Sequence, residues 1–132
     1  KAAARRVMEG YKRNDAEAVI ACFPSFFMES DELNRDAWVK EIEYNVKDMS
    51  DYIFSYTIEK AEKPSSQDRE RFMEDFHYFG GDAFDENKLQ DVRVVWVIYK
   101  GNIPGVWPSR GARLVMIKYE GRWYWWPDTI NR

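Results

Sequence analysis

The chain has 132 residues, 15.8 kDa and a net charge of −3 from 20 basic and 23 acidic side chains. That length suits one compact domain over residues 1-132. The pI of about 5.3 argues against general binding to nucleic-acid backbone, and no apolar run approaches the roughly 18 residues of a membrane helix.

The periodicity predicts a first amphipathic helix over Ala2 to Arg13. Ala4, Val7, Met8 and Tyr11 recur at helical spacing, while Arg5, Arg6, Glu9, Lys12 and Arg13 take the solvent face. Asn14 breaks it and can cap a second helix, about 15 to 23, with Glu17 completing a box-like pair and Pro24 ending it. Ser25 to Glu32 reads as irregular or a short strand that supplies Phe26, Phe27 and Met28 to the core. Asn34 or Asp36 caps a third helix to about Met49, striped with Trp38, Ile42, Val46 and Met49. The period changes to two at Asp51, giving a strand through Tyr52, Phe54, Tyr56 and Ile58 that Pro64 ends. Ser65 and Asp68 resemble a capping box ahead of a helix with a Phe72, Phe76, Phe79 stripe, stopped by Gly80-Gly81. Lys88 to Lys100 and Arg110 to Tyr119 read as strands around a Gly101–Ser109 loop. Glu120-Gly121 is a two-residue hairpin turn into a last strand, Arg122 to Trp126.

Helices clustered early and a late antiparallel meander give an α+β fold. The Glu120-Gly121 turn sets Met116 opposite Trp125 and Lys118 opposite Trp123. Carrying the even positions on, through Leu114, Trp96, Val94 and Val92, gives an apolar face expected beneath the helices. The other phase, with Val95, Val97, Val115, Ile117, Tyr124 and Trp126, is too apolar for water and predicts a homodimer through the outer sheet face.

Three N-terminal helices over a curved antiparallel sheet, closed by the hairpin Tyr119-Glu120-Gly121-Arg122-Trp123-Tyr124, resemble the nuclear transport factor 2-like (cystatin-like) superfamily. The extra helix at about 66 to 79 is similar to that of secreted or lipid-anchored bacterial members of unknown role. The resemblance implies helices packed on the concave face of the sheet and a conical pocket between them. It implies an extracellular or cell-surface location with a signal segment removed. It also allows two functions. One is a non-enzymatic exported bacterial domain that binds a small apolar or sugar-like ligand or a protein partner. The other is a small-molecule isomerase or dehydratase.

Proton-transfer chemistry needs a base of raised pKa and an oxyanion donor. The inward positions offer Tyr11, Tyr52, Tyr56 and Lys118 but no carboxylate, so no catalytic residue is assigned. His77 and Cys22 give no metal-ligand spacing. Cys22 follows a lipidation-box-like Ala18-Val19-Ile20-Ala21, but Asp15 and Glu17 interrupt the apolar segment such a box needs, so it reads as a buried helix residue. Asp82, Asp85 and Glu86 read as a solvated loop, and no cofactor or metal is expected. The pocket lining is expected from Tyr11, Trp38, Tyr56, Trp96 and Trp125, with the loop residue Trp107 at its mouth.

Overall fold

The computed structural model describes residues 2–53, 55–101 and 110–127, with Arg110 through its backbone alone. The elements follow the order α1 (Ala2–Lys12), α2 (Ala16–Ile20), α3 (Ser25–Met28), α4 (Arg35–Met49), β1 (Ser55–Glu62), α5 (Ser66–Gly80), β2 (Leu89–Lys100), β3 (Arg110–Tyr119) and β4 (Arg122–Trp126). The fold is α+β, with a four-stranded antiparallel sheet in the order β1-β2-β3-β4.

Local chemistry accounts for most boundaries. Side chains of Asp15, Asn34 and Ser65 each accept a hydrogen bond at 3.1 Å, from the N–H of Ala18, Ala37 and Asp68 respectively. Each thereby satisfies a donor that the first helical turn leaves open. Asp15 caps α2, not Asn14, which takes the left-handed backbone (φ 54°) that turns the chain out of α1. Glu120 and Gly121 both adopt positive φ, 52° and 82°, the twist that closes a two-residue hairpin. At Gly10 the approach of α2 is the constraint, because a Cβ there would come within 2.6 Å of Val19 Cγ2.

Three expectations are corrected. Ser25 to Met28 forms a short helix, not a strand. Residues 50 to 52 form a 3-10 turn, so β1 starts at Ser55, later than the alternation suggested. Phe54 and the Trp107 loop lie outside the described residues.

The third correction is the phase of β2. Val94 pairs with Val115 and Val95 with Leu114. The apolar residues of β2 therefore divide the other way from the expected assignment. Val95 and Val97 share a face with Leu114, Met116 and Trp125. Val92, Val94 and Trp96 share the opposite face with Val115, Ile117 and Trp126.

Helices cover both faces. On the first, Trp125 meets Tyr11 of α1 edge-on at 6.1 Å between ring centroids and stacks on Phe23 at 5.0 Å. On the second, Trp126 is packed by Phe26 and Phe27 of α3 and by Phe76 and Phe79 of α5, at 4.8 to 6.0 Å. Val115 and Ile117 have no exposed surface and Trp126 is 1% exposed. The patch offered for a homodimer is thus split between two covered faces, and a dimer through it has no surface to use. The short α3 and the phenylalanine stripe of α5 together cover this face.

Candidate functional site

Alternation along β2 and β3 brings Tyr99, Ala112 and Leu114 beneath α1, while the helical spacing of Val7, Met8 and Tyr11 turns that stripe down onto them. Between these layers and the C-terminal end of α4 lies a cavity of about 230 Å³. Met49 and Ile53 close one side, and Trp125 and Pro127 close another. The wall is mostly apolar.

Its best-defined polar feature is one hydrogen bond. The Tyr11 hydroxyl donates to Asn45 Oδ1 at 2.6 Å, linking α1 to α4. Tyr11 is 8% exposed, and burial pushes its hydroxyl up to about 12 from an ordinary 10. It therefore stays protonated and remains a donor across the physiological range. Among the described lining residues there is no carboxylate and no imidazole. Arg113 reaches the wall from β3 but carries its side chain toward α5, with Nη1 4.0 Å from Asp68 Oδ2.

Of the six residues expected to line a pocket, the structure brings two together here, Tyr11 and Trp125. Tyr56 stands on the same sheet face, paired with Tyr99. Its hydroxyl points to the flank of α1 and donates to Glu9 Oε2 at 2.5 Å. Trp38 lies among Phe23 and Phe27, each 5.5 Å away, and its Nε1–H is buried with no partner among the described residues. Trp96 falls on the α5 side because of the reversed β2 phase, with Nε1 donating to Glu62 Oε1 at 2.9 Å. Trp107 lies outside the described residues. Asn45 was missed, having no signal beyond its place one residue ahead of the buried Val46. Tyr99 was missed because the expected β2 phase turned it outward.

Cys22 and His77 form no second centre with each other or with the cavity. Cys22 follows α2, where burial pushes its thiol up and away from reactivity, and its carbonyl accepts the Trp125 N–H at 2.7 Å. His77 is exposed and lies 3.5 Å from Glu86 on a solvated segment. No group of three or more metal-ligating side chains occurs among the described residues, and no helix among them is long and apolar enough to cross a membrane.

The fold and site define a class no finer than an α+β domain with a small apolar cavity between helix and sheet. Comparison with protein-family models, curated proteins and solved structures gives no match to this chain.

Proposed function

We propose that the chain is a non-catalytic binding module of the nuclear transport factor 2-like type, exported as the resemblance implies, whose cavity takes a small, neutral, largely apolar guest. The observation that carries this reading is the cavity under Tyr11: mostly apolar walls on which the Tyr11 hydroxyl, protonated across the physiological range, is held by Asn45. With its proton given to Asn45, the Tyr11 oxygen can accept one hydrogen bond from a guest N–H or O–H, and the apolar walls add affinity through burial. A volume of about 230 Å³ falls below the roughly 300–1,000 Å³ of drug-sized sites, which limits the guest to about the size of a bicyclic ring. The alternative, isomerase or dehydratase chemistry, would need a base, and the described lining supplies none.

The test is calorimetric titration of the intact chain with indole. Saturable binding is expected, weakened about tenfold by Leu114→Phe, which fills the cavity. Binding that is absent, or unchanged in the filled variant, overturns the proposal.

A further inference from the structure

The sheet face under α1 changes character along its length. Near Tyr11 it is apolar, but toward the start of α1 it carries charge. Asp91 and Arg93 stand two residues apart on β2, so both face α1, in line with Val95 and Val97. Across the sheet Asp91 pairs with Lys118 and Arg93 with Met116, and Trp123 pairs with Lys118 from the other side. Here α1 presents only Ala3 and Ala4. A cleft of about 280 Å³ is left between these alanines, the Asp91–Arg93 pair, Met116 and Trp123.

Both oxygens of Asp91 are engaged within β2. Oδ1 accepts from the Val92 N–H and Oδ2 from the Arg93 Nε–H, each at 2.9 Å. The guanidinium is thus held by its inner nitrogen, while its two terminal nitrogens donate no hydrogen bond to a described residue. The Arg93 side chain is 34% exposed and that of Asp91 28%, both partly withdrawn from water. An ion pair in that setting contributes little to stability, because desolvation offsets the Coulomb attraction. Apolar residues at 91 and 93 would simply continue the core that Val95 and Val97 begin. Lys118 stands on the same face and makes no ion pair among the described residues, so Asp91, Arg93 and Lys118 together leave one net positive charge.

We infer that this cleft binds a small organic carboxylate. The anion meets the terminal nitrogens of Arg93, whose planar fork matches a carboxylate and is pre-oriented by Asp91. Lys118 does not line the cleft but stands on the same sheet face, as the cross-strand partner of Asp91 and Trp123, and adds positive charge beside it. The carbon frame of the ligand lies against Trp123 and Met116, which favours an organic acid over a bare inorganic anion. A cation is disfavoured because both Asp91 oxygens are already engaged. This site is separate from the cavity under Tyr11 and does not depend on what that cavity takes.

The experiment is a heteronuclear NMR titration of the intact, isotope-labelled chain with benzoate, and in parallel with benzyl alcohol as its uncharged counterpart. Benzoate is expected to shift the Arg93 Nε–H and Trp123 indole N–H resonances saturably, and benzyl alcohol to leave them in place. Arg93→Gln should weaken benzoate by about tenfold or more, and Trp123→Leu should weaken it while leaving the Asp91–Arg93 pair intact. If Arg93→Gln does not fold, the Asp91→Asn/Arg93→Gln double variant replaces it, since it removes the charges as a pair. Three results overturn the inference: benzoate that moves neither resonance, benzyl alcohol that binds as well as benzoate, or unchanged affinity in the folded arginine variant. Shifts confined to the Trp125 indole also overturn it, and assign the binding to the other cavity.

Discussion

Two tyrosine hydroxyls join α1 to its neighbours, and each carries a different pH signature. Tyr11 sits buried against Asn45 with its ionisation raised to about 12. A group whose folded pKa lies above its unfolded value stabilises the fold fully below the unfolded value, and that stability is lost as pH rises through the folded one. For Tyr11 the window runs from about 10 to about 12. Urea unfolding followed across that window should show a loss of about 2 kcal/mol that is absent in Tyr11→Phe. An equal slope in both chains would refute the assignment. Tyr56 donates to Glu9, and that hydrogen bond, with Lys12, Arg13 and Arg5 nearby, holds the Glu9 carboxyl below its ordinary 4.5. A depressed carboxyl acts in the opposite sense. Its contribution is present above 4.5 and is lost as pH falls through the folded value. Because Glu9 is at the surface, the effect should be no more than about 1 kcal/mol. Tyr56→Phe should flatten the acid limb of the stability curve below 4.5. An acid limb unchanged by that substitution would show that the hydrogen bond is not formed in solution.

At the scale of elements, the two adjacent tryptophans of β4 show how alternation distributes burial. Trp125 looks toward α1 and Trp126 toward α3 and α5, where four phenylalanines surround it. Trp126→Ala should cost about 3–5 kcal/mol, as removal of a buried aromatic does. Trp96 shares that sheet face but lies partly exposed beside the edge strand β1, near Lys60 and Glu62. Trp96→Ala should therefore cost only about 1–2 kcal/mol, chiefly its lost packing and one exposed hydrogen bond. Chemical denaturation of the two variants checks the ranking. Equal losses would mean that Trp96 belongs to the core despite its position.

For the molecule as a whole, the arrangement is helix, sheet, helix. α1 and α4 enclose the cavity on one side, and α3 and α5 seal the other around Trp126. A charge placed in the sealed layer has no partner and no route to water. Val115→Lys should therefore cost several kcal/mol and unfold the chain. Circular dichroism and light scattering together would test this. A folded Val115→Lys chain whose mass had halved would instead restore an interface at that face.

The sequence by itself determined the elements whose signals are local. The stripe of α1, the cap at Ser65, the stop at Gly80-Gly81 and the Glu120-Gly121 hairpin all depend on a few neighbouring residues, as did the Met116–Trp125 pairing that the tight turn fixes, while of Asn34 and Asp36 the structure chose Asn34 as the cap of α4. The phase of β2 against β3 is not local. Nine residues join those strands without fixing parity, and β2 is apolar in both phases, so alternation alone could not choose between them. That choice moved Trp96 away from Trp125, brought Tyr99 to the cavity and placed Asp91 and Arg93 under α1. Only the packing decided it, because a sheet covered by helices on both faces buries either phase, and complementary side-chain shapes then select the register.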